Sequence, residues 1–558
     1  MKNNVIWIMV DAIRNYHSVG DELARLPVMD RLAEEGIYFN NAITSATSTA
    51  MSISSQHVGI PSAYLSRTFD DFKYEPENFT TISNIFKNNG YNNYGLSFAI
   101  DLRYFYHGII DHVPKLYWPK GYRDGVAWNN DGLIKLFSNV LENGLKEPFF
   151  LFIHINGRRD LDVNQKIENM LKALNNYTKD SIMIMNSDHG MPDPSKKDFF
   201  ELTRKKGRFK NRHDLLMTDD NILVPLTLKY PGCKKATINV AVGTIDIVPT
   251  MLDLLDIEIN PDWGIVGKSL VPLLENGETN SFTNRKIRTD TRYLTQNDRI
   301  TSLRDSRYKY LFCKDFDIDN QEYFYDLLKD SKESTNLIES NNNEYKNIIQ
   351  EFRQEYNKQE ENLLNFQKKY LKRKFNKELN KRIKSLPTIK KIVVFGRGNY
   401  QFNYIQYQII KEILNSANLK YFIDLDRSDG EFISQKQKTF KCYRESDNNF
   451  FKKFKLNTKD IDISFITLTT KTQKDYHNVI KLNKQIKPRY TFFLDNNLVF
   501  SENLKIENIK RNINSLLVKR DIYLSDPSKL FDDVKKKLKL TPPIKSSKAT
   551  KIFKNEKQ

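Results

Sequence analysis

Three short stretches of the sequence carry side chains that could hold a metal ion or attack an ester. Asp11 directly follows the apolar run at residues 5–10, and Asp188 and His189 directly follow the run at residues 182–187, so each group comes at the end of a predicted buried strand. Ligands of open α/β sheets lie beyond the carboxyl ends of the strands, so we expect these side chains to meet at one sheet edge. Two carboxylates and an imidazole suit a divalent cation, which would make a neighbouring hydroxyl more nucleophilic.

The hydroxyl is best sought between residues 44 and 55, where eight Ser and Thr residues occur. Within this run the segment TAMSISSQHVG, residues 49–59, resembles the TxPSxxSxxTG nucleophile segment of sulfatase-like phosphohydrolases, which belong to the alkaline phosphatase/sulfatase superfamily. Thr49, Ser52, Ser55 and Gly59 coincide with the pattern, and Met51 stands at the family proline.

Further blocks resemble the same superfamily in the same order, and together they cover residues 3–338. They are NVIWIMVDAIR (4–14), LPVMDRLAEEGIYFNNA (26–42), NSDHG (186–190), HDLLMTDDNILVPL (213–226), TIDIVPTMLDLLDI with GKSLVPLLENG (244–277), and RDSRYKYLF with EYFYDLLKDSKESTNL (304–337). Thr47 is the main rival to Thr49, but only Thr49 sets the other residues of its segment in register.

The resemblance implies a role for each matching residue. Asp11, Asp188 and His189 are expected to be metal ligands, and Thr49 is expected to be both a ligand and the nucleophile. Because Ala12 stands where the family has a second acid, we expect a single divalent ion, which could be Mn²⁺, Zn²⁺, Ca²⁺ or Mg²⁺.

Two more residues are expected to contact the substrate. His213 would contact the transferred group or protonate the leaving oxygen. The segment FLFIHINGRRD stands where many relatives have an HxxxxH-like element, which puts Arg159 at the second histidine, one step from Arg158, in a position to grip phosphate oxygens. By contrast, the sequence favours structural or peripheral roles for three other histidines: His17, His57 and His154.

The nucleophile type favours phosphate over sulfate esters. Sulfatases resemble CxPSR at this point, where the cysteine becomes formylglycine, whereas this chain has Thr49. We therefore expect a metal-dependent phosphoester hydrolase or phosphoryl transferase, acting on a saccharide-linked ester such as a polysaccharide precursor or a nucleotide-activated donor. The alternatives are a sulfatase without formylglycine and an inactive scaffold that binds an anionic partner through its basic second half.

The pattern of predicted elements indicates an α/β fold with more than one domain. We predict an alkaline-phosphatase-like α/β/α sandwich at residues 1–338, a charged helical linker at 339–388, a Rossmann-like α/β domain at 389–540 and a basic disordered tail at 541–558. In the third part, GRG at 396–398 follows a predicted strand, and Asp424 and Asp426 end the next one. Scaffolding or partner docking is favoured there over nucleotide binding, because GxG alone is a weak signal.

Charge and cysteine content bound the partners and the compartment. The net charge is +19, and residues 339–558 hold 47 Lys and Arg against 25 Asp and Glu. This half could touch a membrane surface or an anionic polymer, but no nucleic-acid-binding signature accompanies it. Three widely spaced cysteines and the lack of a long apolar run predict a cytoplasmic protein with no transmembrane segment.

Overall fold

The structure is a computed structural model, and it describes most of the first 382 residues and parts of the remainder. The described residues are 2–15, 25–65, 79–98, 129–157, 162–191, 216–275, 277, 280–291, 299–314, 321–382, 391–396, 409–414, 418–424, 441–443, 461–468, 488, 490–495 and 500–501. They form two compact units, residues 1–367 and 368–558. This division falls inside one helix and differs from the predicted domain ranges, which remain a proposal.

A mixed sheet of seven described strands forms the centre of the first unit, in the order β4-β5-β1-β6-β8-β2-β9. The neighbours β4, β5, β1 and β6 pair in parallel, and β8 runs antiparallel to β6. Residues 5–10 of β1 are all at most 1% exposed, so the sheet is covered on both faces. The strands of this part are β1 (Asn4–Asp11), β2 (Ile37–Phe39), β3 (Ala42–Ile43), β4 (Asn92–Ser97), β5 (Phe149–Asn156), β6 (Ser181–Ser187), β7 (Leu223–Val224), β8 (Leu226–Lys229), β9 (Ala236–Ile238) and β10 (Val242–Gly243).

Helices cover this sheet, and two of them end at a glycine. The first described helix is Pro27–Glu35, which has proline at its first position and Gly36 as its C-terminal cap. The helix that begins at Thr49 ends before Gly59, whose φ of +66° is a left-handed conformation that favours glycine. The described helices are α1 (Pro27–Glu35), α2 (Thr49–Val58), α3 (Ser62–Leu65), α4 (Ile82–Asn88), α5 (Asn130–Glu142), α6 (Val163–Ala173), α7 (Asn175–Thr178), α8 (Asp219–Ile222), α9 (Ile247–Leu254), α10 (Val271–Glu275) and α11 (Asn343–Arg382).

One apolar run is divided between two sheets. Residues 224–229 have the composition of a single buried strand, but Pro225 separates β7 from β8. β7 belongs to a small sheet with β3 and β10, while β8 belongs to the central sheet. Proline has no N–H for a strand ladder, so the run changes partners at this residue.

An antiparallel sheet completes the first unit and packs against the first part of α11. Its strands follow one another as β11 (Ile287–Asp290), β12 (Arg299–Arg304), β13 (Tyr308–Lys314) and β14 (Gln321–Asp326). Tyr310 and Phe324 on this sheet form a buried aromatic cluster with Phe352 and Tyr356 of α11. Within the predicted helical linker at residues 339–388, the described helix runs from Asn343 to Arg382, and its first part belongs to the core of the first unit.

A buried ion cluster ties the antiparallel sheet to α8. The Nζ atom of Lys309 lies 2.9 Å from Oδ1 of Asp219 and also contacts the carboxylate of Glu333, while Nη2 of Arg304 lies 2.9 Å from Oδ2 of Asp219. Burial alone would raise the pKa of Asp219, but the charges of Arg304 and Lys309 more than offset it and hold the pKa below its usual value. Asp219 is therefore ionised at neutral pH, and α8 is anchored by charge.

The second unit contains a sheet in the order β17-β16-β15-β18-β19-β20. All neighbours are parallel except β19 and β20, and the first strand lies at the centre, as in doubly wound folds. This order agrees with the predicted Rossmann-like domain. Gly396 ends β15 and Asp424 ends β16, whereas residues 397–398, Asp426 and the predicted tail lie outside the described residues. The strands are β15 (Lys391–Gly396), β16 (Asn418–Asp424), β17 (Lys441–Tyr443), β18 (Ile463–Leu468), β19 (Tyr490–Asp495) and β20 (Phe500–Ser501).

The ion cluster predicts the effect of a single substitution on stability. Lys309→Met leaves the buried carboxylate of Glu333 without its cation, so we expect the free energy of unfolding to fall by about 3–5 kcal/mol. Lys229→Met is the control, because its partner Glu35 is 63% exposed and such surface pairs contribute about 1 kcal/mol or less. Urea denaturation measures both; equal losses for the two variants would contradict the assigned role of the cluster.

Candidate active site

The ends of β1 and β6 bring Asp11 and Asp188 together. Val10 lies opposite Ser187 in the parallel register, so the next residue on each strand is an acid. Oδ1 of Asp188 accepts a 3.0 Å hydrogen bond from the backbone N–H of Ala12. Ala12 has a φ of +58°, an unfavourable conformation for a residue with a side chain, and this strain lies directly beside the two acids.

Thr49, the first residue of α2, directs its hydroxyl at this pair of strand ends. Oγ1 lies 3.2 Å from Oδ1 of Asp11 and 3.0 Å from Nε2 of His189. Nδ1 of His189 lies 2.7 Å from the backbone oxygen of Gly190, which can only accept, so Nδ1 carries the imidazole proton and Nε2 presents its lone pair to the site. The hydroxyl of Thr49 therefore faces two acceptors.

The loop that carries His189 is held by a close backbone contact with α8. The N–H of Gly190 donates a 2.7 Å hydrogen bond to the oxygen of Asn221. A Cβ atom at Gly190 would lie 2.2 Å from the backbone oxygen of Asp220, so no larger residue fits without moving this loop. The ion cluster fixes α8, and the backbone of α8 in turn fixes the loop that carries His189.

His154 also lies at this edge, although the sequence favoured a structural or peripheral role for it. Its Nε2 is 3.9 Å from Oδ1 of Asp11, and its ring is completely buried. Burial lowers the pKa of His154 to about 4, against an upward effect of Asp11, so the imidazole is neutral at physiological pH. The sequence could have pointed to His154. Side chains alternate between the two faces of a strand, and parallel pairing puts His154 opposite Met9, on the sheet face that carries Asp11.

These side chains fit a divalent cation. One ligand atom each from Asp11, His154 and Asp188 lies within 4.8 Å of the other two. Oδ2 of Asp188 is buried, lies 3.5 Å from Nε2 of His189 and accepts no hydrogen bond from the described residues. Burial, and next the charge of Asp188, raise the pKa of Asp11 to about 6. A bound cation would offset both effects and favour the ionised carboxylates.

Other predicted site residues lie outside the described residues. These are Arg159 with its neighbour Arg158, His213, and the histidine at position 17. His57, by contrast, is fully buried and stacks on Trp7 with ring centroids 4.6 Å apart. The structure thus brings Asp11, Thr49, Asp188 and His189 together and adds His154, and the roles of all five stay predictions.

Comparison with known proteins identifies the family. The Sulfatase family model matches residues 3–158, and the model for the C-terminal part of N-sulphoglucosamine sulphohydrolase matches residues 206–362. The chain belongs to the alkaline phosphatase/sulfatase superfamily. It is therefore a hydrolase of sulfate or phosphate esters, and enzymes of this superfamily use a metal ion.

Solved structures of this sulfatase-family fold cover the first part of the chain. A protein of Bacteroides thetaiotaomicron named as a sulfatase is 19% identical, with a TM-score of 0.50 over 64% of this chain and 92% of its own. The phosphonate monoester hydrolase of Agrobacterium radiobacter is 14% identical, with a TM-score of 0.50 over 65% of this chain and 96% of its own. Both likenesses confirm the predicted alkaline-phosphatase-like fold.

A curated relative matches over a short stretch. The ulvan-active sulfatase of Formosa agariphila is 44% identical over 61 residues, which is 10% of this chain and 12% of that protein.

Among the described residues, no helix is both long and apolar enough to cross a membrane.

The paired carboxylates predict the metal dependence of binding. Asp188→Asn removes one of two buried negative charges, so we expect the affinity for Mn²⁺ to fall about 100-fold or more. Asp131→Asn is the control, because this side chain is 74% exposed on α5. Titration calorimetry with metal analysis of the purified variants measures the effect. Equal affinity in Asp188→Asn and the wild type would contradict the assignment of this carboxylate.

Proposed function

We propose that this sulfatase-family enzyme is a metal-dependent phosphoester hydrolase or phosphoryl transferase with Thr49 as its nucleophile. The observation that supports it best is the position of the Thr49 hydroxyl, within 3.2 Å of Oδ1 of Asp11 and of Nε2 of His189. The rival Thr47 is completely buried, whereas Thr49 is partly open to solvent. A nucleophile must reach its substrate, which favours Thr49.

The chemistry follows from the atoms around this hydroxyl. The divalent ion, when bound, would lower the pKa of the hydroxyl and neutralise charge on the transferred group. The Thr49 proton passes to Oδ1 of Asp11, 3.2 Å away, because the single lone pair on Nε2 of His189 cannot both hold the ion and accept a proton. Oγ1 then forms a bond to phosphorus while the ester P–O bond breaks, and its electron pair leaves with the alcohol oxygen, which takes up a proton.

The second half of the reaction regenerates the enzyme. Water attacks phosphorus, the bond between phosphorus and Oγ1 breaks, and Thr49 regains a proton as inorganic phosphate leaves. In a transferase, an acceptor hydroxyl replaces water in this step. We propose that His213 and Arg159 contact the transferred group, as the resemblance of their segments implies.

The threonine itself favours phosphate as the substrate group. A phosphothreonine intermediate needs a side-chain oxygen and no modified residue, whereas the formylglycine route needs a cysteine that position 49 lacks. A saccharide-linked ester, a cytoplasmic location and the ranges of the domains remain parts of this proposal.

The identity of the nucleophile can be tested with matched variants. Thr49→Val removes the hydroxyl and keeps the branched shape, so we expect kcat to fall by about 10⁴-fold or more. Thr47→Val makes the same change two residues away and is expected to leave kcat within the same order of magnitude. Mass analysis of the tryptic peptide at residues 32–67 after substrate trapping should find a phosphate on Thr49. A phosphate on Thr47 would contradict the assignment.

The choice of ester can be tested by comparing substrates. We expect turnover of aryl phosphate mono- or diesters with Mn²⁺ or Zn²⁺ to exceed turnover of the matching aryl sulfate, because Thr49 forms its covalent intermediate at phosphorus. Sulfate turnover well above phosphate turnover would favour a sulfatase without formylglycine. No stoichiometric metal binding, together with no turnover of either ester, would favour a scaffold.

A further inference from the structure

A buried chain of hydrogen bonds lies beneath the active site and runs from Trp7 to the backbone of Asp188. The indole Nε1 of Trp7 donates to Oδ1 of Asn186 at 2.8 Å, and Nδ2 of Asn186 donates to Oε1 of Gln56 at 2.7 Å. Nε2 of Gln56 donates to Oγ of Ser52 at 2.9 Å, and that hydroxyl donates to the backbone oxygen of Asp188 at 2.6 Å. All four side chains are fully buried.

The chain of hydrogen bonds has one direction, because an indole N–H can donate but cannot accept. The amide oxygen of Asn186 must therefore face Trp7, so its nitrogen faces Gln56. The amide of Gln56 is oriented in turn, and the hydroxyl of Ser52 receives a donor and gives its own proton to the backbone oxygen. Every amide in the chain has a single satisfied orientation.

Each link lies on the same element, and on the same face, as a residue of the active site. On α2, Ser52 and Gln56 follow Thr49 at three and seven residues, the spacing of one helix face. On β1, Trp7 precedes Asp11 by four residues, and on β6, Asn186 precedes residue 188 by two, which are even spacings on one sheet face. The chain therefore joins the helix of the nucleophile to the strands of the two acids.

We propose that Gln56 is a positioning residue that keeps Thr49 in register with Asp11 and Asp188. This inference rests on the proposed function of Thr49. A slide of α2 along the sheet would separate Gln56 from Asn186 and leave buried amide groups unpaired, which is strongly unfavourable. The amide pair thus permits one position of the helix.

Asp188 is held by hydrogen bonds that do not involve Gln56. Replacing Gln56 should therefore change the position of Thr49 rather than that of the acid. Oγ1 of Thr44 donates to the backbone oxygen of Asp188 at 2.5 Å, and the N–H of Ala12 donates to its carboxylate at 3.0 Å. Both contacts remain when Gln56 is replaced. Metal binding should persist while the placement of Thr49 loosens.

The test is Gln56→Leu, which removes both polar groups and keeps a side chain of similar size. We expect kcat to fall about 10- to 100-fold, because misplacement by about 1 Å costs that much, while KM and the stoichiometry of bound Mn²⁺ stay unchanged. With Co²⁺ in place of Mn²⁺, the visible absorption spectrum should shift at unaltered stoichiometry, since Thr49 is a proposed ligand. Gln165→Leu, an exposed glutamine on α6, is the matched control and should leave kcat unchanged.

A second variant separates positioning from stability. Replacing the indole and both amides, in Trp7→Phe/Gln56→Leu/Asn186→Leu, leaves no donor of the chain unpaired, because the Ser52 hydroxyl keeps its bond to the backbone oxygen of Asp188. This variant should recover thermal stability without recovering kcat. Recovery of kcat together with stability would overturn the proposal, as would a Gln56→Leu enzyme of normal kcat. If Gln56→Leu does not fold, Trp7→Phe removes the orienting N–H, together with part of the ring that stacks on His57, and should lower kcat several-fold. Normal kcat in that variant would also overturn the proposal.

The outcomes distinguish this inference from the proposed function. An active Thr49→Val enzyme would end the role of Thr49 whatever Gln56 does. An inactive Thr49→Val enzyme beside a fully active Gln56→Leu enzyme would overturn the positioning role alone.

Discussion

The repulsion between two carboxylates held near each other away from bulk water is the constraint on which the site depends. Asp11 and Asp188 end neighbouring parallel strands; burial, and next the charge of Asp188, raise the pKa of Asp11 to about 6. Such an arrangement is costly unless positive charge offsets it. The proposed divalent ion would offset that cost. It would also account for the neutral, buried imidazole of His154 beside the acids.

The backbone around the acids also has an unusual conformation. Ala12 adopts a left-handed conformation, and its N–H then binds the carboxylate of Asp188. Next to His189, Gly190 lies so close to the backbone of α8 that a side chain would not fit. Strain at one position and close contact at another are tolerated because the surrounding sheet and the ion cluster fix the neighbouring segments.

The sequence predicted the parts of this protein that rest on local patterns. Apolar runs ended by acids predicted β1 and β6, and the spacing of Thr49, Ser52, Ser55 and Gly59 singled out the segment that forms α2. Contacts that depend on how distant segments pair could not be predicted from local patterns. The position of His154 near Asp11 follows from the pairing of β5 with β1, and Gln56 meets Asn186 across 130 residues of chain.

Pro225 shows a different limit of sequence patterns. The six residues at 224–229 have the composition of one buried strand, and only the missing N–H in their midst separates two sheets. Composition describes how much of a segment is buried. It does not say which neighbour buries it, and that choice depended here on a single backbone donor.

The aromatic contact between the antiparallel sheet and the long helix bears on where the enzyme can be cut. Tyr310 and Phe324 are covered by Phe352 and Tyr356, which lie beyond the predicted domain boundary at residue 338 but inside the family-model match that ends at residue 362. A fragment that stopped at residue 338 would present these rings to water, and such surfaces promote self-association. The shortest fragment that keeps them covered must extend through at least the first four turns of α11.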